Sequence, residues 1–323
     1  MSEVTCVGVL TSGGDAPGMN AALRAVVRTC CYHGITAMGI QKGYNGLMTG
    51  EIKEMDSRSV SDIINRGGTI LQTARCLEFT KEEGMAKAVS MAKVFGMDAI
   101  VVIGGDGSFK GARDLCRRGV KVVGIPGTID NDIGCSDYTI GYDTALNTVQ
   151  DAIDKIRDTA YSHERCSIVE VMGRHAGYIA LNVGIATGAE AVVFPEQELD
   201  MDADILLPII EGRNRGKRHY IVILAEGVGG AVEIAAKIEA ATGIESRATI
   251  LGHIQRGGSP TVKDRVVASR MGVRAVELLR EGTYDRVLAM RGDDLVDLDI
   301  SEALAMRKTI GPEYVNVSKV LSI

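Results

Sequence analysis

The sequence predicts an α/β fold of two Rossmann-like, three-layer domains whose sheets are mostly parallel. Two patterns lead to this prediction. Short apolar, β-branched runs alternate along the chain with segments of helical periodicity, as in βαβ units. Glycine is also in excess, at 39 of 323 residues, and many of the glycines directly follow the apolar runs. Because parallel sheets bind ligands beyond the carboxyl ends of their strands, this placement favours ligand-binding loops over flexible ones.

The amino-terminal half contains the clearest strand–loop–helix units. Residues 4–10 form a short apolar run typical of a buried strand, and residues 11–18 follow as a glycine-containing loop. From Met19 the apolar residues recur at helical spacing. The same arrangement returns twice, with predicted strands at residues 98–103 and 121–125, loops at 104–108 and 126–132, and helices through Leu115 and from Thr144.

Three later apolar runs predict further strands, at residues 167–171, 191–194 and 220–225. Each run ends in polar or glycine-containing sequence, as the earlier ones do. No proline- or serine-rich linker separates the two halves, so the division into domains is inferred from the number of strands. That number places the division near residue 140.

Composition excludes several classes of protein. The formal net charge is −6, which argues against nucleic acid and anionic membranes as main partners. No apolar run reaches the roughly 18 residues that a membrane span needs. The seven cysteines are odd in number and contain no CxxC pair, and the five histidines show no zinc spacing. We therefore expect reduced thiols and a cytoplasmic location.

Two glycine–carboxylate loops carry the first chemical signal. Gly13-Gly14-Asp15 precedes the first helix, and Gly104-Gly105-Asp106-Gly107-Ser108 precedes a later one. Backbone N–H groups at such helix starts attract phosphate, and an aspartate there can hold Mg²⁺ on it. The alternative is a pair of tight turns with capping aspartates. The usual GxxxxGK[ST] and GxGxxG nucleotide signatures are missing.

The third loop and several arginines extend this signal. Residues 128–132, Thr-Ile-Asp-Asn-Asp, place two carboxylates two residues apart at a strand end. Phosphoryl transfer to an alcohol needs a carboxylate to accept the hydroxyl proton, although Asp-Asn-Asp is also common in polar turns. Arginines in segments 172–174 and 253–258, and at Arg247, offer planar forks for a phosphate, or are solvated surface residues. The basic run at residues 213–219 is a solvated loop or an anion site.

Together these motifs resemble bacterial 6-phosphofructokinases over nearly the whole chain. The matching segments are LTSGGDAPGMN at 10–20, GGDGS at 104–108, PGTIDND at 126–132, VMGR at 171–174 and LGHIQRGGSP at 251–260. The resemblance implies Mg²⁺-dependent transfer of the γ-phosphoryl group of ATP to the 1-hydroxyl of fructose 6-phosphate, the committed step of glycolysis. It also implies an active site in the cleft between a larger ATP-binding domain (1–140 plus 254–304) and a smaller fructose 6-phosphate-binding domain (141–253 plus 305–323).

The resemblance also assigns residues to the active site. Asp130 matches the general base, Thr128 a substrate-binding residue beside it, and Asp132 a second acidic residue near metal and substrate. Asp106 matches the Mg²⁺ ligand. The positions that match ATP-binding residues are Gly14, Arg75, Cys76, Gly105, Asp106, Gly107 and Ser108. The positions that match sugar-phosphate contacts are Ile129, Met172, Gly173, Arg174, Glu226, His253 and Arg256, and Arg174 is also expected to offset charge on the transferring phosphoryl group.

Regulation and assembly are implied in the same way. Arg165 and Arg247 match arginines that reach into a neighbouring subunit's active site. A homotetramer is therefore expected. An effector site for ADP or phosphoenolpyruvate between subunits matches Arg24, Arg28, Asp62, Arg157, Gly188, Glu190, Arg215, Lys217 and His219.

Three other functions stay open at this point. Pyrophosphate-dependent relatives commonly carry aspartate and lysine where Gly107 and Gly127 stand, and a side chain at position 107 would crowd an α-phosphate, so ATP is the expected donor. Kinases of the NAD or lipid type share the GGDG loop but lack PGTIDND and HIQR. A non-catalytic nucleotide sensor would be expected to have lost Asp106 or Asp130, and both are present.

Overall fold

The computed structural model describes residues 4–74 and 76–322, and these divide into two compact units. Unit 1 comprises the described residues of 1–129 together with 133–144 and 256–308. Unit 2 comprises 130–132, 145–255 and the described residues of 309–323.

Unit 1 is built on a seven-stranded, mostly parallel sheet. Its strands are β1 (Cys6–Thr11), β2 (Thr36–Ile40), β3 (Ile52–Met55), β4 (Ala99–Gly104), β5 (Lys121–Pro126), β10 (Arg286–Arg291) and β11 (Asp294–Asp299). They lie in the order β11-β10-β5-β4-β1-β2-β3, and only the two edge pairs, β10–β11 and β2–β3, are antiparallel. The three strands that precede the phosphate-type loops, β1, β4 and β5, are therefore neighbours at the centre of the sheet.

Helices cover both faces of this sheet. The helices of unit 1 are α1 (Met19–Tyr32), α2 (Tyr44–Thr49), α3 (Glu82–Val94), α4 (Asp106–Cys116), α9 (Val262–Arg280) and α10 (Ile300–Ala305), with a 3₁₀ turn at Glu78–Thr80. Side chains of α2, α3, α4 and α10 share one core with one face of the strands. On the other face, α1 contacts β1 and β4, α9 contacts β5, and α1 and α9 pack together. Since alternate strand residues point to opposite faces, strands covered on both sides must be apolar throughout, as β1 and β4 are.

Unit 2 is built on a four-stranded, fully parallel sheet. Its strands are β6 (Cys166–Val171), β7 (Ala191–Val193), β8 (Tyr220–Ala225) and β9 (Ser246–Ile250), in the order β7-β8-β6-β9. Its helices are α6 (Tyr178–Thr187), α7 (Leu207–Asn214), α8 (Ala231–Thr242) and α11 (Pro312–Leu321), with a π-helical turn at Met201–Leu206. A 3₁₀ turn at Gly252–Arg256 belongs to unit 2 except for its last residue, Arg256, which is in unit 1. Helix α5 (Tyr142–His163) begins in unit 1 and continues in unit 2. Helices α7 and α8 pack on one face of the sheet and α6 on the other.

The structure confirms the predicted fold class. Every strand and helix singled out in the sequence is present, with ends shifted by a few residues at most. All seven cysteines are free thiols. Within residues 4–74 and 76–322, every helix is too short or too polar to span a bilayer. The assignment of ATP to one unit and of sugar phosphate to the other stays a prediction.

Candidate active site

Three predicted phosphate loops meet at one edge of the unit 1 sheet. They follow β1, β4 and β5, whose carboxyl ends lie side by side because the strands are parallel neighbours. The Ser12 N–H donates to the Ile103 carbonyl at 2.9 Å, and the Gly127 N–H donates to the Gly104 carbonyl at 2.9 Å. These bonds extend the sheet ladder into the loops and fix their backbones against one another.

Glycine is required for this close approach. A Cβ at position 104 would lie 2.5 Å from both the Ser108 Oγ and the Ser12 carbonyl oxygen, closer than real contacts allow. Gly13 has a φ of +88°, where side chains are strained, and a Cβ there would lie 3.4 Å from the Ser108 Oγ. The glycine excess in the sequence therefore serves, at these positions, to bring exposed backbone N–H groups into one place.

The helix starts differ between the two glycine–aspartate loops. Helix α4 begins at Asp106 directly after Gly105, and no side chain caps it. The Ser108 N–H donates to the Gly105 carbonyl at 2.9 Å, so the N–H groups of Asp106 and Gly107 are the ones that this helix start offers to a ligand. Helix α1 begins only at Met19, four residues after Asp15, because Gly18 takes a left-handed φ of +105° between them. The helix start at Met19 is the one that the sequence predicted, and Gly13-Gly14-Asp15 therefore offers the N–H groups of a loop rather than those of a helix end.

Asp106 is placed to contribute to a magnesium site. Its side chain is 44% exposed at the start of α4 and pairs with Lys110 at 2.9 Å. Among residues 4–74 and 76–322, no group of three or more histidine, cysteine or acidic residues could hold a metal without help. Mg²⁺ is usually held by one or two carboxylates together with substrate phosphates and water, and a single aspartate beside a phosphate loop fits that pattern.

The third loop carries the predicted base. Thr128 and Asp130 are buried, at 8% and 3% exposure, while Asp132 is exposed. Asn131 between the two aspartates has a φ of +51°, a conformation that asparagine tolerates better than most residues. The Thr128 N–H donates to the Ile140 carbonyl at 3.1 Å, which ties the start of the loop to residues 138–140.

A buried carboxylate that the sequence analysis missed stabilises that segment. Asp264 of α9 is fully buried and accepts hydrogen bonds from the Tyr138 hydroxyl at 2.5 Å, the Gly141 N–H at 2.6 Å, and both the N–H and the hydroxyl of Thr144. Burial raises the pKa of Asp264, and the four hydrogen bonds act in the opposite direction. The only signal in the sequence is Thr-x-x-Asp at residues 261–264, a capping-box pattern at the start of α9.

A hydrogen bond between residues 138–144 and the loop that carries Asp130 gives a first prediction. The buried Thr139 hydroxyl donates to the Thr128 carbonyl at 2.7 Å. Thr139→Val keeps the shape and removes the donor, so we expect stability to fall by about 1–3 kcal/mol and kcat to fall about tenfold as Thr128 shifts. Denaturant melts and steady-state kinetics measure both.

Thr139→Ser is the matched control, since it retains the hydroxyl. It should restore most of kcat. If the valine and serine variants lose kcat equally, the hydroxyl does not position the loop.

Three further loops meet at the carboxyl edge of the unit 2 sheet. The Arg174 N–H donates to Glu226 Oε1 at 2.7 Å, and the Met172 N–H donates to Gln255 Oε1 at 3.1 Å. Gly173 and Arg174 have φ values of +135° and +55°, so the chain turns sharply there and leaves the Arg174 side chain exposed. The structure therefore brings Met172, Gly173, Arg174 and Glu226 together, and buried Gln255 orders the loop behind them.

The remaining predicted contacts are more scattered. His253 is exposed in the 3₁₀ turn of unit 2. Arg256 lies in unit 1, where its Nη1 donates to the Asp15 carbonyl at 3.1 Å, beside Gly14. Cys76 is half-buried against the unit 1 core. Arg75, a predicted ATP-binding residue, lies outside the described residues.

Part of the predicted effector site forms a charged cluster in unit 2. Lys217 pairs with the buried Glu190 carboxylate, which also accepts from the Ile221 N–H. The pKa of His219 is lowered by burial, while the neighbouring Glu190 acts in the opposite direction and nearby Arg157 and Lys217 lower it further. Glu190, Arg215 and Lys217 also line a cavity of about 290 Å³.

The other predicted effector residues are distributed between the units. Arg157 donates to the Thr187 carbonyl, next to Gly188, whose φ is +62° at the end of α6. Arg24 and Arg28 lie in unit 1, where they line a pocket on the α1–α9 surface, and Asp62 lies in unit 1 with a φ of +55°.

Comparison with known proteins decides the family. A family model described as "Phosphofructokinase" matches residues 6–279. The chain belongs to the phosphofructokinase family. The "ATP-dependent 6-phosphofructokinase 1" of Clostridium perfringens is 58% identical over 316 residues, which cover 98% of this chain and 99% of that protein. An "ATP-dependent 6-phosphofructokinase" of Clostridium botulinum matches with the same identity and coverage.

Solved structures agree with this membership. The phosphofructokinase of Saccharomyces cerevisiae superimposes with a TM-score of 0.88 at 34% identity and covers 99% of this chain. This chain spans about half of the yeast chain, 48% of its length. A pyrophosphate-dependent phosphofructokinase from Marinobacter aquaeolei has a TM-score of 0.86 over 98% of this chain and 88% of that one, but at 21% identity it supports the fold alone.

Proposed function

We propose that this phosphofructokinase transfers the γ-phosphoryl group of ATP to the 1-hydroxyl of fructose 6-phosphate and forms fructose 1,6-bisphosphate, the committed step of glycolysis. The observation that carries the proposal is the 58% identity, over nearly the full length of both chains, to curated ATP-dependent 6-phosphofructokinases. The convergence of three phosphate-type loops at one sheet edge supports it independently.

The unit 1 edge is proposed to bind the nucleotide phosphates. Gly14 and Gly105–Gly107, which follow β1 and β4, are at least partly exposed, whereas Ser108 is buried and its N–H donates to the Gly105 carbonyl. The dipole of α4 adds positive potential at this edge. Cys76, on the same unit, is proposed to bind ATP, and the same role is proposed for Arg75. Asp106 is proposed to hold Mg²⁺, which, when bound, would neutralise phosphate charge and orient the transferring group.

Asp130 is proposed to act as the general base. Its carboxylate accepts the proton of the 1-hydroxyl as that oxygen attacks phosphorus, and Thr128 and Ile129 orient the sugar beside it. Burial of Asp130 excludes water and strengthens its interaction with a hydroxyl. Asp132 is proposed to act as a second acidic group, and exposed Arg174 to offset the charge that moves with the phosphoryl group.

The unit 2 edge is proposed to bind the sugar phosphate. Met172, Gly173, Arg174 and Glu226 converge there through the hydrogen bonds described above, and His253 extends from the adjoining turn. Arg256, although in unit 1, is proposed to contact the substrate as well. An arginine fork and a histidine suit a phosphate monoester, while a carboxylate such as Glu226 suits sugar hydroxyls.

Assembly as a homotetramer is proposed on the position of two arginines. Arg165 directly precedes β6, whereas Met172 directly follows it, and a six-residue strand spans roughly 20 Å. Arg247 of β9 pairs with Ser167, which lies at the same end of β6 as Arg165. These arginines therefore cannot contact the same phosphate as the 172–174 loop of their own chain, and we propose that they serve a neighbouring copy.

Sedimentation velocity tests the assembly. We expect a mass of four chains, about 137 kDa from the 34.3 kDa of one. A fully active monomer would contradict it.

An effector site for ADP or phosphoenolpyruvate is proposed at the Glu190–Lys217 cluster. Lys217 pairs with the buried Glu190 carboxylate, Arg215 lines the same cavity, and Arg157 lies near His219. Basic side chains of this kind suit an anion. Calorimetric titration with each compound tests the proposal directly. A cytoplasmic location, expected of an enzyme of glycolysis, stays a prediction.

A panel of acceptors tests the activity. With ATP and Mg²⁺, we expect ADP release to require fructose 6-phosphate, and neither NAD nor water to replace it. Turnover with NAD would instead favour the NAD-kinase type, and nucleotide binding without turnover on any acceptor would favour a non-catalytic sensor.

A further inference from the structure

One carboxylate joins the two arginines that lie at the amino end of β6. Strands β6 and β9 are parallel, and Ser167 pairs with Arg247. The Cys166 N–H donates to the Glu245 carbonyl at 3.0 Å, which places Glu245 beside Arg165. Residues 80 or more apart in the sequence thus meet only because these strands pair.

Glu245 contacts both guanidinium groups. Its Oε2 lies 2.8 Å from the Arg165 Nε, and its Oε1 accepts from Arg247 Nη2 at 2.7 Å and Nε at 2.9 Å. The Arg165, Glu245 and Arg247 side chains are 27%, 44% and 66% exposed, so the cluster faces solvent while Arg165 is partly enclosed. The pKa of Glu245 is lowered, chiefly by its close contacts with the Arg165 and Arg247 guanidinium groups, so the bridging carboxylate stays ionised at neutral pH.

The bridge has a physical consequence for anion binding. Two guanidinium groups that contact the same carboxylate repel each other, and long exposed side chains populate many rotamers. A shared carboxylate offsets the repulsion and limits both forks to one arrangement. The cluster keeps a net charge of +1, and each guanidinium has five N–H donors, more than Glu245 engages.

We propose that Glu245 is a positioning residue, which holds Arg165 and Arg247 together as one cradle for the phosphate of the sugar substrate. The proposal rests on the proposed function, since that assigns the two arginines to a sugar phosphate. Glu245 itself does not touch the substrate. Its effect is to reduce the ordering that the arginines would otherwise undergo when the phosphate binds.

Four variants of the full-length enzyme test this role. Glu245→Ala removes the bridge, Glu245→Gln keeps one acceptor oxygen, and Arg247→Ala removes one fork. Asp151→Ala is the control, because it breaks an exposed ion pair with Lys155 on α5, also in unit 2. KM and kcat are measured for both substrates, with fructose 6-phosphate binding by calorimetry and thermal melting as a check of folding.

We expect Glu245→Ala to raise the KM and the dissociation constant of fructose 6-phosphate about tenfold, with kcat and the KM for ATP within twofold of the parent. Glu245→Gln should fall between the parent and the alanine variant. Arg247→Ala should raise the same KM at least as much, since charged hydrogen bonds to phosphate are strong. Asp151→Ala should change none of these values.

The outcomes separate the proposal from the proposed function. If Arg247→Ala leaves the KM for fructose 6-phosphate unchanged, the assignment of the arginines is wrong. If Arg247→Ala raises this KM but Glu245→Ala does not, the positioning role is wrong. A lower KM in Glu245→Ala would overturn the proposal too, because it would mean that Glu245 competes with the phosphate.

Discussion

Asp130→Ala is expected to lower kcat by about 10²–10⁴-fold, the usual contribution of a general base. Asp130 lies in the loop that follows β5, and it is only 3% exposed, so water cannot easily replace its carboxylate. ATP binding should persist, because the nucleotide loops follow β1 and β4 and do not include this residue. Steady-state kinetics give kcat, and calorimetry with ATP gives the dissociation constant.

Asp130→Asn is the matched variant, since it keeps the size of the side chain and removes the proton acceptor. It should lose as much kcat as the alanine variant does. Near-normal turnover in either variant, with folding confirmed by melting, would remove Asp130 from the role of base.

Gly107→Asp is expected to lower kcat/KM for ATP by at least about 100-fold. A Cβ at this position meets nothing within 4 Å, so the chain itself accepts the side chain. The resemblance places an α-phosphate next to it, and like charges at an interface cost several kcal/mol. An acidic residue in the first turn of α4 is favourable for the helix, so the melting temperature should not fall.

Gly107→Asn separates charge from size, because the two side chains have nearly the same shape. We expect the asparagine variant to lose much less kcat/KM for ATP. Equal losses would mean that the size of the side chain, and not its charge, lowers kcat/KM for ATP. No loss in the aspartate variant would mean that no phosphate lies beside position 107.

The sequence predicted the central elements because they are apolar and regular. Strands β1, β4, β5, β6 and β8 are mostly apolar, and the loops that follow them carry glycines and carboxylates. Most strands that it did not single out are short, polar or half-exposed, although β10 has four buried apolar residues. Examples are β3, with Lys53 and Glu54, and β11, in which three of the six residues are aspartate. Such runs become strands through pairing with a neighbour rather than through their own pattern.

The motifs of the candidate site could be recognised in the sequence, but the contacts that support them could not. Asp130, Asp106 and Arg174 stand in recognisable motifs, whereas Asp264 and Glu245 do not. Burial of Asp264 depends on four donors from residues 138–144, more than 100 positions away. The bridge at Glu245 depends on the pairing of β6 with β9. Contacts of this kind arise from tertiary structure, and no local spacing encodes them.

The most direct test of the central claim is to identify the phosphoryl donor and the sugar position that receives the phosphoryl group. ³¹P NMR of the reaction with fructose 6-phosphate, Mg²⁺ and either ATP or pyrophosphate reports both in one spectrum. We expect ATP to give ADP and a new sugar phosphate resonance at the 1-position, with pyrophosphate unchanged. Rapid consumption of pyrophosphate, or ATP consumed without fructose 1,6-bisphosphate, would contradict the account.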